Sequence, residues 1–112
     1  MRPRKDEVWL VDFGDPIGRE QAGRRPAVIV SVNSLNESPA GVVIVVPITR
    51  SHRNLPSHVE LEPGGSGLTE VSYAKCEDVK SVSEYRLITR IGSIAEEASF
   101  QINRILGFLL GI

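Results

Sequence analysis

Two runs of mostly β-branched residues dominate this chain, and each is bracketed by residues that do not continue a helix. The first is Pro26-Ala27-Val28-Ile29-Val30-Ser31-Val32 and the second is Val42-Val43-Ile44-Val45-Val46-Pro47-Ile48. Continuous apolar runs of this length read as strands buried on both faces. Proline and glycine at or near their ends argue against helices. The predicted strands are therefore Pro26 to Val32 and Val42 to Ile48. Pro47 cannot donate to a ladder, so the second is expected at a sheet edge or bulged there, which would re-aim Thr49.

The remaining segments fit a sheet built around those two runs. Glu7 to Phe13 is rich in β-formers, with Trp9, Val11 and Phe13 on one face and Val8 and Leu10 on the other. It ends at the turn signal Gly14-Asp15-Pro16. Ser57 to Glu62 alternates, with Val59 and Leu61 inward and His58, Glu60 and Glu62 outward. Pro63-Gly64-Gly65-Ser66-Gly67 reads as a flexible loop, and Val71 to Cys76 and Ile88 to Ile91 supply further strands. The period changes near the C-terminus. Ser93 with Glu96 three residues later has the capping-box pattern. Ala98, Ile102, Ile105, Leu106 and Leu109 then share one helical face, and Gly111 is a natural stop. Short strands followed by one helix predict a mainly β fold, a small barrel-like sheet with a C-terminal helix packed on it. Phe108-Leu109-Leu110-Gly111-Ile112 is more apolar than one helix face needs. That end either packs under a loop or meets a partner.

The chain has 112 residues, the size of one domain with a single core, here expected to span 1–112. Its formal net charge of −1 argues against binding nucleic acid through bulk positive potential, so such binding would need a local patch. The single Cys76 precludes an internal disulfide and fits a reducing compartment. It is either a nucleophile or a small packed hydrophobe, and its strand-like surroundings favour packing. Asp6 and Glu7 follow the basic start where a secretory signal would turn apolar. The apolar runs at 41–48 and 105–112 fall short of the ~20 residues that span a bilayer. A cytoplasmic location and no membrane partner are expected. No Cys pair, His-x-x-x-His or carboxylate cluster has metal-ligand spacing, and Gly64-Gly65-Ser66-Gly67 lacks the lysine and helix of a phosphate loop. The reading therefore includes no metal and no cofactor.

Charged residues gather at the ends of the two apolar runs. Arg24 and Arg25 close the polar segment Arg19-Glu20-Gln21-Ala22-Gly23. Arg25 stands directly before Pro26, which biases its backbone to extended geometry and lets the strand aim the side chain. A guanidinium fixed on the rim of a sheet suits a phosphate. The second run ends in Thr49-Arg50, adding a hydroxyl and another guanidinium, and the polar, basic segment Arg50-Ser51-His52-Arg53-Asn54 follows. His52 and His58 lie six residues apart with nothing to bring them together, and both read as surface histidines.

Together these segments resemble the MazF/PemK/Kid family of toxin ribonucleases from bacterial toxin–antitoxin modules. Val11-Asp12-Phe13 with Arg19-Glu20-Gln21-Ala22-Gly23 looks like the family's first strand and loop, and Asp78-Val79-Lys80-Ser81-Val82 like its late strand. The resemblance covers nearly the whole chain. It implies an SH3-like barrel, a homodimer, a cognate antitoxin with an acidic, partly disordered inhibitory segment, and metal-independent endonucleolytic cleavage of single-stranded RNA. Such cleavage uses the 2′-hydroxyl as nucleophile and leaves 2′,3′-cyclic phosphate and 5′-hydroxyl ends. The resemblance makes Arg25 and Thr49 the catalytic pair. Glu20 and Glu77 are the alternatives for acid–base work. Lys75-Cys76-Glu77 resembles the Arg-Cys-Asp triplet of Kid, although a lysine lacks the arginine's bidentate fork. Arg24, Arg50, His52, Arg53, Lys75 and Lys80 are the expected RNA contacts. A second reading is a non-enzymatic gyrase poison like CcdB, which shares the fold. CcdB ends in Trp-Gly-Ile, whereas this chain ends in Leu110-Gly111-Ile112, where a helix stop already accounts for the glycine.

Overall fold

The computed structural model describes residues 2–15, 18 and 22–112. Seven strands and two helices follow one another as β1 (Glu7–Asp12), β2 (Arg24–Ile29), α1 (Asn33–Asn36), β3 (Val42–Thr49), β4 (His58–Leu61), β5 (Ser72–Lys75), β6 (Lys80–Ser83), β7 (Leu87–Ser93) and α2 (Glu96–Leu110). The strand order is β4-β5-β3-β2-β1-β7, with β6 also paired to β3. Every strand pairing among the described residues is antiparallel. The result is the expected mainly β, barrel-like fold with a C-terminal helix, and its sheet is not closed.

The two apolar runs form the middle of this sheet because both of their faces are covered. Val8, Val28, Val46, Ile48, Val59, Leu61 and Ile102 belong to one buried cluster, onto which Ala98, Ile105 and Leu106 of α2 pack. Trp9, Val11, Ala27, Ile29, Val43, Val45 and Val82 form a second, joined by Phe13 and Leu87. The alternation read in Glu7 to Phe13 thus separates the clusters, with Val8 in one and Trp9, Val11 and Phe13 in the other. Each fully buried aliphatic side chain contributes about 1.5–3 kcal/mol.

β3 is an interior strand, not an edge. β2 flanks it on one side, and β6 followed by β5 on the other. The register with β2 runs unbroken through the Ala27↔Pro47 pair, so the expected bulge is not there. Val30 N–H bonds Ile44 C=O at 2.9 Å. The alternation of an antiparallel ladder then turns the Pro47 nitrogen away from β2. On that side β6 pairing ends at Val45 and β5 pairing begins at Ile48. The missing donor falls in the gap between two partners.

Other local expectations also change. β2 starts at Arg24 and ends at Ile29. The chain then turns a corner where buried Ser31 and Asn36 bond each other, Asn36 Nδ2 donates to Ser31 C=O, and Ile44 N–H donates to Ser31 Oγ. Ser93 does not cap α2. It still pairs with Glu7 as the last residue of β7, and its hydroxyl accepts from Arg90 at 2.8 Å. The N-cap is Ala95, without a side-chain cap bond. The 63–67 loop is packed rather than free. A Cβ on Gly67 would stand 1.8 Å from Ile91 O, and one on Gly92 2.2 Å from the Ser66 carbonyl carbon. Gly111 ends α2 in the left-handed region, with Ile112 N–H on Gly107 C=O. Leu109, expected on the core-facing stripe, is exposed because the stripe leaves the core after Leu106, and Phe108, Leu110 and Ile112 are exposed as well.

Candidate functional site

A groove of about 660 Å³ opens where the ends of β2, β3 and β5 meet the segment after the 63–67 loop. Arg24, Arg25 and Pro26 form one wall, Ile48, Thr49, Arg50 and Ser51 another, and Gly67, Leu68, Thr69, Ser72 and Lys75 a third, with Ala22 also in the lining. Cations and hydroxyls dominate its polar groups, and no carboxylate lines it among the described residues. A site of that composition is built to attract an anion, despite the chain's net charge of −1.

Arg25 and Thr49 line the same groove, and register accounts for their nearness. Continued outward from Ala27↔Pro47, the β2–β3 alignment sets Arg25 opposite Thr49 on the same face of the sheet. Arg25 also pairs with Val11 in β1, so its backbone is held in a strand ahead of Pro26. Its guanidinium is exposed and makes no hydrogen bond or ion pair among the described residues. Thr49 Oγ1 accepts from Ser51 N–H at 3.1 Å. An accepted bond leaves the hydroxyl proton available for donation, and that bond also fixes where the oxygen sits.

The other predicted contacts divide into those inside the groove and those beyond it. Arg24, Arg50 and Lys75 line it. Arg50 lies 3.6 Å from Glu70 in an exposed ion pair, a weak tie that a phosphate can replace. Lys75 Nζ stands 3.1 Å from Asp78 Oδ2, which aims it from the end of β5. His52 and Arg53 are exposed on the segment leaving β3. The His52 ring stacks on Tyr73, with centroids 4.8 Å apart and planes 7° from parallel. Lys80 does not line the groove. It sits in β6 opposite Val45, with its ammonium 5.5 Å from the centre of the Phe13 ring.

Of the two acid–base candidates, Glu20 lies outside the described residues. Glu77 sits on the short 3-10 turn Cys76–Asp78 and is not part of the groove lining. Ser57 Oγ donates to its Oε1 at 2.7 Å, and His58 Nε2 lies 2.9 Å from Oε2. Partial burial acts to raise its pKa, but the Ser57, His58 and backbone hydrogen bonds outweigh burial and hold the carboxyl below the usual range. A carboxylate so engaged is a poor proton acceptor. His58 is not the surface residue the alternation suggested: its side chain is 4% exposed. Cys76 is buried, and burial followed by the Glu77 charge pushes its thiol up to about 12. It is a packed hydrophobe rather than a nucleophile. No group of three or more potential metal-ligating side chains occurs among the described residues.

Sequence reading missed part of the groove wall. Thr69 and Ser72 are ordinary polar residues in the chain and enter the site only through the β3–β5 pairing and the packed glycine loop. Tyr73 was equally unmarked until its pairing with Thr49 placed it beside the groove.

Comparison with known proteins agrees with this fold. Residues 4–110 match the family model described as PemK-like, MazF-like toxin of type II toxin–antitoxin system. The chain is 32% identical over 108 residues, 92% of each chain, to the endoribonuclease MazF9 of Mycobacterium tuberculosis. It is 24% identical to the endoribonuclease EndoA of Bacillus subtilis, covering 100% of this chain and 97% of that one. The crystal structure of MazF from Deinococcus radiodurans superposes with a TM-score of 0.84 at 24% identity, over 100% and 99% of the two chains. A mycobacterial endoribonuclease solved with its cognate antitoxin gives 0.81 at 25% identity, over 98% and 96%. The chain with the Arg25–Thr49 groove belongs to the PemK-like, MazF-like family of type II toxins.

Proposed function

We propose that this protein is a cytoplasmic endoribonuclease toxin that cuts single-stranded RNA at the Arg25–Thr49 groove without a metal ion. The observation that carries the reading is the pairing of a free guanidinium and an undonated hydroxyl across two strand ends, in a groove lined with other cations. In the reaction a 2′-hydroxyl gives up its proton and attacks the adjacent phosphorus, the bond to the 5′-oxygen breaks and that oxygen takes up a proton, leaving a 2′,3′-cyclic phosphate and a 5′-hydroxyl end. Negative charge grows on the phosphoryl oxygens in the transition state. Arg25, with two parallel donors, and the Thr49 hydroxyl are aimed where that charge develops. Arg24, Arg50 and Lys75 hold flanking phosphates. Arg53 and His52 extend the contact along the segment after β3. Single strands fit better than duplex because an unstacked backbone can reach in-line geometry.

The partner that restrains such a toxin is an antitoxin whose acidic, disordered segment folds into the same cationic groove. The exposed Phe108, Leu110 and Ile112 at the end of α2 supply an apolar face for self-association, giving a homodimer. Sedimentation at micromolar protein should show the dimer, and a monomer would remove that element. The test of the reaction is incubation of purified protein with a mixed-sequence RNA under exhaustive chelation. Discrete cuts with 5′-hydroxyl and cyclic phosphate ends are expected. Loss of cleavage on chelation with recovery on added magnesium would overturn the metal-independent chemistry.

A further inference from the structure

The reaction chemistry leaves the stacked rings beside Thr49 unused. Tyr73 pairs directly with Thr49 across the β3–β5 ladder, and His52 follows three residues after Thr49 on the segment leaving β3. Their rings are nearly parallel, 7° apart with centroids 4.8 Å from each other. Tyr73 is half-buried and His52 exposed, so one ring backs the other while the His52 ring meets solvent. Parallel aromatic stacking of this kind extends naturally by one more flat ring. The flat rings available at an RNA-binding groove are nucleobases, each of which has a π-face.

We infer that His52, backed by Tyr73, is a stacking platform for an unpaired base flanking the scissile phosphate, and that purines are favoured there because they overlap the ring more fully. The inference rests on the ribonuclease reading above and adds to it a residue pair that selects where the cut falls. Thr49 and Tyr73 are cross-strand neighbours, so a phosphate held at Thr49 brings its adjoining nucleotide to the platform. Stacking there turns one base out of the strand and fixes the backbone on one side of the reacting phosphorus. Arg50 and Arg53, flanking His52 in sequence, supply phosphate contacts to the same nucleotide.

The test compares His52→Ala, His52→Phe and Tyr73→Leu with the unaltered protein. One readout is the map of cut sites on a long mixed-sequence RNA. The other is fluorescence of a 2-aminopurine-containing RNA oligonucleotide carrying 2′-deoxy sugars, which cannot be cut by 2′-hydroxyl attack. His52→Ala should lower kcat/KM at preferred sites about 5- to 150-fold and flatten the base preference at one position beside the cut. His52→Phe should retain that preference. Tyr73→Leu removes the ring and keeps an apolar side chain, and its loss should lie between the two. The fluorescence quenching seen on binding should fall with His52→Ala and persist with His52→Phe. Equal losses in His52→Ala and His52→Phe, or an unchanged cut map and unchanged quenching in His52→Ala, would overturn the platform. If the unaltered protein quenches 2-aminopurine but cuts no RNA, the platform stands and the nuclease reading fails. Weakened antitoxin binding with RNA behaviour unchanged would assign the rings to the protein partner instead.

Discussion

Two clusters in this molecule contain the residue types from which catalytic sites are made, and only one turns its free capacity toward the groove. At the groove, Arg25 has no protein partner among the described residues, and Thr49 accepts one bond with its proton undonated. Around the 76–78 turn, Ser57, His58 and Glu77 look more like an enzyme's acid–base set by residue type. Yet Glu77 is engaged on both oxygens, His58 is enclosed, and the neighbouring Cys76 is pushed far from its reactive form. A functional site is marked by unspent hydrogen-bonding capacity facing a cavity. The 76–78 cluster still holds a buried His58 Nδ1 without a hydrogen-bond partner, but neither His58 nor Glu77 lines the groove.

The comparison is broken most readily at the groove. Arg25→Lys keeps the charge and loses the fork, and Thr49→Val removes only the hydroxyl. Each should lower the RNA cleavage rate by ~10²–10³, measured in single-turnover assays. Both should leave the thermal melting temperature nearly unchanged, since neither side chain belongs to a core cluster. A loss of activity accompanied by unfolding would mean that these residues are structural.

The 76–78 cluster should respond in the opposite way. Glu77→Gln should leave cleavage within a few-fold of the unaltered protein while lowering stability by about 1 kcal/mol, read from urea unfolding at neutral pH. The depressed Glu77 pKa also sets a sign. Its contribution is present above the ordinary carboxylate value of 4.5 and is lost as pH falls through the lower folded-state value. The stability difference between Glu77→Gln and the unaltered protein should therefore shrink on acidification. Should Glu77→Gln instead abolish cleavage and leave stability untouched, the division between the clusters would be wrong.

The smallest expected effect is at Cys76. With its thiol pushed up to about 12 and buried, it should resist iodoacetamide at neutral pH in the folded protein and react once urea unfolds it. Cleavage should survive the treatment of folded protein. Rapid labelling with loss of cleavage would make Cys76 part of the site.

How much was legible in the sequence follows the same divide. The faces of β1, the inward Val59 and Leu61 and the stripe of α2 were visible because periodicity directly encodes which side is buried. Arg25 and Thr49 were singled out from their places at the ends of apolar runs and from family resemblance, and both line the groove. What escaped depended on pairing. Pro47 looked like an edge marker because sequence cannot show a strand changing partners beside it. Ser93 looked like a cap because three-residue spacing does not reveal that β7 still holds it. His58 looked solvent-facing because alternation says nothing about Glu77 arriving from another turn to cover it. Tyr73 became significant only through its register with Thr49.

The account's central claim is that Arg25 and Thr49 act as one unit on one phosphate. The direct measurement is the single-turnover cleavage rate of the Arg25→Lys/Thr49→Val double variant beside the two single variants, with the fold of each confirmed by circular dichroism. If they act together, the double variant should be hardly slower than the poorer single variant. A rate equal to the product of the two separate losses would show independent roles, and cleavage at the unaltered rate would place the reaction elsewhere.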